Sequence, residues 1–225
     1  EEKKVISVGD VMEIPAEGGT FSVDVQYNTD VVVEVESAAQ SWIHFVAVRA
    51  LTSGKLEFSF DANDGPQRTG KVTIRSSINS IEPTELIFTQ LQDEKLLSAQ
   101  RVMTDLYEAL GARNWNDPWI PGVTWPGFSY NRENGTASIV IDDMGAKGTI
   151  PESIGDLGDM LVSLFIQNEP GISGTLPDSF GKLVNLKEIY IRNTSMTSLP
   201  DLFADMKELE SISVLLNSKM TGSLP

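Results

Sequence analysis

Between residues 148 and 225 a four-residue turn keeps returning: Gly148-Thr149-Ile150-Pro151, Gly174-Thr175-Leu176-Pro177, the shortened Ser198-Leu199-Pro200, and Gly222-Ser223-Leu224-Pro225. The prolines stand 26, 23 and 25 residues apart. Ahead of each turn runs an apolar frame: Leu161, Leu164 and Ile166; Leu186, Ile189 and Ile191; Leu209, Ile212 and Val214; with Ile139 and Ile141 opening an earlier copy. Self-similarity at a period of about 20–50 residues marks a stacked array. One such unit cannot bury its own apolar edge, so the units must stack, with strands in a parallel sheet on a concave side and short helical turns on the other. Three to four coils are expected.

Upstream of the repeats the pattern changes twice. From Asp93, the residues Leu96, Ala99, Met103, Leu106 and Leu110 recur at helical spacing until Gly111 supplies a stop. Trp115, Trp119 and Trp125 then sit among Pro118, Pro121 and Pro126, which predicts a packed segment covering the first coil rather than a solvated loop. Before residue 92 the alternation has period two: Phe21, Val23, Val25 and Tyr27; Val31, Val33 and Val35; Leu56, Phe58 and Phe60; Val72 and Ile74. Turn signals separate these runs, namely Glu17-Gly18-Gly19, Asn28-Thr29-Asp30, Asn63-Asp64-Gly65-Pro66 and Arg68-Thr69-Gly70. Many short strands with such spacing predict a β-sandwich.

The frame L-x-x-L-x-L with G-x-[IL]-P turns matches the leucine-rich-repeat signature. Residues 105–225 resemble the plant-type members, including their N-terminal cap, through Trp115 and Trp119-Ile120-Pro121-Gly122-Val123. The paired cysteines of that cap are missing. In this family an asparagine ends each strand at the ninth frame position and bonds the next coil's backbone. Asn217 fits, whereas Met144, Glu169 and Thr194 occupy the earlier equivalents and Asn168 and Asn193 stand one residue early, so an irregular sheet edge is expected. Residues 1–92 resemble the BACON domain of exported Bacteroidetes proteins through Ser41-Trp42-Ile43, Phe60-Asp61-Ala62-Asn63, Arg68-Thr69-Gly70-Lys71-Val72 and Ile87-Phe88-Thr89-Gln90. That resemblance implies an immunoglobulin-like fold.

Seventeen basic and thirty-two acidic side chains leave a net charge of −15 in 225 residues. The excess is shared, −7 over residues 1–92 and −8 over residues 93–225, so neither part offers a basic footprint for nucleic acid. Anionic headgroups would repel this charge, and no apolar run approaches a membrane span. Without cysteine there is no disulfide framework, thiol catalysis or cysteine-ligated zinc. The polar start Glu1-Glu2-Lys3-Lys4 reads as the tether left after removal of a leader, with a lipid anchor upstream of residue 1 as one form of attachment. An open solenoid end normally carries a polar cap, and its absence at Pro225 predicts that the natural protein continues.

Side chains between the leucines of each strand face away from the core. The columns across coils are Ser138, Ser163, Glu188 and Ser211; Val140, Phe165, Tyr190 and Ser213; Asp142, Gln167, Arg192 and Leu215. Phe165 beside Tyr190, with Asp142, Gln167, Glu188 and Arg192 around them, has the aromatic and arginine makeup of an interface hot spot. The alternative is ordinary solenoid surface. Trp42 could stack on a sugar ring, yet Ile43 beside it suits a core position. His44 lacks a nucleophile motif or a second imidazole. Asp61, Asn63 and Asp64-Gly65 miss the spacing of a calcium loop. No phosphate loop occurs, and no carboxylate pair is marked for catalysis.

The sequence therefore predicts a multidomain chain: an all-β immunoglobulin-like sandwich (1–92), a helical and Trp-rich N-terminal cap (93–135), and an α/β leucine-rich-repeat solenoid (136–225). The expected function is non-enzymatic binding of a protein ligand on the concave face, with the sandwich as spacer, in an exported protein at the cell surface or in the periplasm. The alternative is a carbohydrate-binding accessory protein that adheres to glycan or mucin through Trp42 and the sandwich. Neither cofactor nor metal is expected.

Overall fold

The computed structural model describes residues 6–8, 13–27, 30–48, 53–76, 81–121, 124–203 and 206–221. The start at Glu1 to Lys4, Asn28-Thr29, Gly122-Val123 and the Gly222-to-Pro225 turn lie outside them. The chain forms two compact units, residues 1–97 and 98–225.

The described residues of the first unit form seven strands, β1 (Ile6–Val8), β2 (Gly19–Tyr27), β3 (Val31–Val35), β4 (Ile43–Val48), β5 (Ser53–Phe60), β6 (Arg68–Ser76) and β7 (Thr84–Gln90), of which β2, β3, β5 and β6 hold the period-two runs. They pair antiparallel in two sheets, ordered β1-β2-β5-β4 and β3-β6-β7. Both sheets give their inward residues to one core, Val23, Leu56, Phe58 and Phe60 from the first and Val72, Ile74, Leu86 and Phe88 from the second. Phe88 joins them, its ring 5.1 Å from Phe58 and 5.0 Å from Phe60. Gly18 has φ +72°, and a Cβ there would lie 2.2 Å from the Phe60 carbonyl oxygen, so the turn into β2 admits only glycine.

The 61–66 turn is held from inside. The buried Asn63 amide donates to the carbonyls of Pro66 and Leu91, each at 2.9 Å. Gln90, fully buried, donates to Pro15 and Asp61 carbonyls and accepts from Arg68 Nε at 2.9 Å. Buried amides must find such partners or cost about 1–3 kcal/mol each.

The helix α1 (Glu94–Ala109) begins where the Asp93 carboxylate accepts the Leu96 N–H, and it gives way to Gly111 at φ +66°. Its face of Ala99, Met103, Leu106, Tyr107 and Leu110 enters the same core as the strand leucines. Trp115 donates its indole N–H to the Leu110 carbonyl at 3.0 Å, and Trp115 and Trp119 are both buried beside Tyr107. Trp125 is half-buried and packs against the same core.

The repeats follow. β8 (Phe128–Asn131) lies antiparallel to β9 (Thr136–Asp142); β9, β11 (Leu161–Thr175), β12 (Glu188–Ser198) and β13 (Ser211–Leu215) form a parallel sheet. The short β10 (Lys147–Gly148) pairs with the late part of β11. The β11–β12 ladder shifts register between Glu169 and Ser173 and again between Gly174 and Thr175, which is the irregularity that the broken asparagine column predicts. Opposite the sheet stand 3-10 segments, Glu152–Leu157 and Asp178–Lys182. Ile139, Ile141, Leu164, Ile166, Leu186, Ile189 and Ile191 are all buried.

Equivalent glycines in the two 3-10 segments meet different surroundings. A Cβ on Gly155 would come within 2.3 Å of the Ser179 carbonyl oxygen in the next coil, while one on Gly181 would meet only Leu202 side-chain atoms at 3.8 Å or more. Gly155→Ala is expected to destabilise by about 1–3 kcal/mol through overpacking, and Gly181→Ala to leave stability unchanged or raised. Urea-unfolding midpoints of the two variants check this, and equal midpoints would show that coil-to-coil contact at Gly155 is not tight.

Candidate functional site

Parallel pairing with no offset over the strand centres turns the three columns of the sequence into three rows on the sheet. Ser163 is the register partner of Ser138 and Glu188, Phe165 of Val140 and Tyr190, and Gln167 of Asp142 and Arg192; the next step adds Ser211, Ser213 and Leu215. All six residues named as the concave-face candidates therefore share one face. Phe165 and Tyr190 stack, with ring centroids 5.9 Å apart and planes at 26°. Val140 is exposed on the far side of Phe165. Asp142, Glu188 and Arg192 are exposed, and Phe165, Gln167 and Tyr190 are half-buried.

One end of this face is organised by side-chain amides. The Asp142 carboxylate accepts from Gln167 Nε2 at 2.6 Å and from Asn168 Nδ2 at 2.9 Å, and Asn168 Oδ1 accepts from Asn193 Nδ2 at 3.4 Å. Asn168 and Asn193 stand one residue early because they are turn residues. Together with Asp143 and Leu216 they occupy the left-handed region, at φ between 51° and 57°. Asparagine and aspartate tolerate that conformation best among non-glycine residues. Leu216 pays the steric penalty without that help.

The next residue in each coil points inward, and here the structure adds a feature that the leucine frame did not reveal. Glu169 is fully buried, and its carboxylate accepts the N–H of Met144 at 2.5 Å and of Ala146 at 2.7 Å, both in the preceding coil. Asn217 holds the same place two coils on, accepting the Thr194 N–H at 2.9 Å and the Thr194 hydroxyl at 2.8 Å and donating to the Ile191 carbonyl at 3.0 Å. The expectation that this asparagine bonds the next coil is corrected: Asn217 reaches back to the preceding one. Burial pushes the Glu169 carboxyl above its ordinary value; the N–H bonds from Met144, Ala146 and Gly145 oppose the rise and the Asp143 carboxylate adds to it.

In the first unit Trp42 is 4% exposed, inside the core with Phe60, and the Arg68 guanidinium lies 4.4 Å from the centroid of its ring. A sugar has no open indole face to stack on there. His44 is exposed, with Nε2 3.2 Å from the Asp61 carboxylate. Among the described residues no group of three His, Asp or Glu side chains could hold a metal ion, and no helix is long and apolar enough to cross a membrane.

The coils form a repeat solenoid in which each strand carries an inward apolar frame followed by a left-handed residue, and in which the first two coils continue into 3-10 segments. Among solved structures, a plant ice-binding protein aligns over 53% of this chain and 41% of its own length, at 21% identity and a TM-score of 0.47. The leucine-rich-repeat ectodomain of the receptor kinase SOBIR1 from Arabidopsis thaliana aligns over 55% and 67%, at 18% identity and 0.41. A leucine-rich repeat protein from Bacteroides thetaiotaomicron aligns over 84% and 42%, at 14% identity and 0.37. The chain thus spans less than half the length of the first and third of these. No protein-family model matches the chain, and no curated protein matches its sequence.

Glu169 generates a pH test. Its folded carboxyl keeps the proton to a higher pH than the unfolded carboxyl, near 4.5, so the folded chain binds more protons in the interval above 4.5. Stability from this group is greatest below 4.5 and falls as pH rises through the folded value. Glu169→Gln removes that component, so the stability difference between variant and wild type moves in the variant's favour as pH rises from below 4.5 towards neutrality. Urea unfolding at a series of pH values measures it; a difference that stays flat with pH rejects the assignment.

Proposed function

We propose that this chain is a non-enzymatic, exported binding protein whose concave solenoid face holds a protein ligand. In this reading residues 1–92 are an immunoglobulin-like sandwich of the BACON type acting as a spacer, residues 93–135 cap the solenoid, and residues 136–225 carry the site. The protein works at the cell surface or in the periplasm. Seven antiparallel strands in two sheets around one core support the sandwich reading. The apolar face of α1 and the buried Trp115 and Trp119, in one core with the strand leucines, support the cap.

The observation that carries the reading is the Phe165–Tyr190 stack at the centre of the sheet face, bordered by Asp142, Gln167, Glu188 and Arg192. Aromatic rings beside an arginine make up much of the energy of protein interfaces, each anchor worth roughly 2 kcal/mol or more once desolvated. The burial of Trp42 weighs against a glycan site on the sandwich.

Screening the full chain and its Tyr190→Ala variant against immobilised extracellular proteins and immobilised glycans tests it. Binding to a protein is expected, weakened about thirtyfold or more in Tyr190→Ala, the equivalent of roughly 2 kcal/mol, with the circular dichroism spectrum unchanged. Binding to glycan alone, indifferent to Tyr190→Ala, would move the site off the concave face and overturn the proposal.

A further inference from the structure

Within the concave face, the strand β12 presents three outward side chains in succession: Glu188, Tyr190 and Arg192. Among the described residues neither Glu188 nor Arg192 has an ion pair or a side-chain hydrogen bond, although other charges of this unit are paired, Lys187 with Glu210 at 3.1 Å and Lys182 with Asp156 at 3.4 Å. Both are exposed. The register partners of Glu188 and Tyr190 on β13 are the small residues Ser211 and Ser213. Beside Glu188 and Tyr190 the surface therefore drops to a shelf, bounded at the Arg192 end by the exposed Leu215. One face of the Tyr190 ring is covered by Phe165; the other stands over that shelf, with the Glu188 carboxylate at one end and the Arg192 guanidinium at the other, neither paired among the described residues.

A ligand that satisfies all three groups must carry a cation, an apolar group and an anion in a line. Outward residues of a strand repeat every two positions, about 6.6–6.8 Å. An extended peptide has the same repeat, so side chains at its positions i, i+2 and i+4 fall opposite Glu188, Tyr190 and Arg192 without distortion. A shelf one strand wide admits an extended main chain, and the hydroxyls of Ser211 and Ser213 on its floor can bond peptide groups. We infer that the shelf takes an extended segment of a protein partner that carries a basic and an acidic side chain on either side of an apolar or aromatic one, at alternate positions. This rests on the concave-face reading above and specifies its ligand.

Rim charges of this kind set specificity more than affinity, so the test compares preferences. Fluorescence anisotropy of the full chain is measured with three labelled peptides that differ only at two positions: Lys-Ser-Trp-Ser-Glu, Lys-Ser-Trp-Ser-Lys and Glu-Ser-Trp-Ser-Glu, each within the same neutral flanks. Comparing mixed with like-charged peptides makes the outcome independent of which way the peptide runs. The wild type should bind the mixed peptide about tenfold more tightly than either other, Arg192→Glu should prefer the Lys–Lys peptide, and Glu188→Lys the Glu–Glu peptide. Tyr190→Ala should weaken all three. A rank order unmoved by both charge variants, or no saturable binding of any peptide up to millimolar concentration, overturns the inference. The concave-face reading stands apart from that result: it survives if a protein captured in the screen still loses binding in Tyr190→Ala, and fails if none does.

Discussion

The stacking of coils carries the second unit. Ile139, Leu164 and Ile189 each sit on a single strand, which cannot bury its own apolar side, and each is buried where neighbouring coils lie against it. Every apolar atom withdrawn from water this way contributes at roughly 25 cal/mol per Å², but the gain is collective, since no coil keeps it alone. The register that maximises this overlap also places Phe165 against Tyr190 on the opposite face. Core and candidate site are two sides of the same pairing.

Backbone groups between coils impose the second constraint. Where the chain leaves the strand it must turn, and the turn leaves N–H groups pointing into the interior. Asn217 meets this demand with a neutral amide that both accepts and donates, using Thr194 and Ile191. Glu169 meets it with a carboxylate that only accepts, and it takes two N–H groups from Met144 and Ala146. The second solution makes stronger individual bonds, since an ionised acceptor roughly doubles a hydrogen bond, and carries the desolvation cost of a buried charge. The turn it secures contains Asp143 and follows Asp142, so the same side chain that closes the interior also sets the edge of the exposed face.

The first unit solves its polar problem differently. Asn63, Gln90 and Arg68 tie the 61–66 turn to one end of the second sheet, where Arg68 and Gln90 are register partners, with Arg68 lying over Trp42. These residues make up much of the segment's sequence signature, and each is spent on the fold. The ion pairs on that unit's surface, such as Arg75 with Glu34 and Lys71 with Glu85, are of the exposed kind that contributes little.

The repeat, the inward leucine frame and the membership of the three concave rows were determined by the sequence itself, because strand alternation is local and a period of 23 to 26 residues brings like positions side by side. The alternating runs that became β2, β3, β5 and β6, and the helix stop at Gly111, were legible for the same reason: each depends on neighbours in the chain. The roles of the polar residues near each turn were decided by tertiary structure alone. Asn168 and Glu169 are adjacent and both polar, yet one is exposed in a left-handed turn and the other is buried, and the difference lies in which backbone groups the preceding coil leaves unpaired at each point. Trp42 likewise could have faced either way until Arg68 and Phe60, 26 and 18 residues further along the chain, closed over it. A partner supplied from another coil or another sheet leaves no periodic trace, so its presence is read only where the chain has folded.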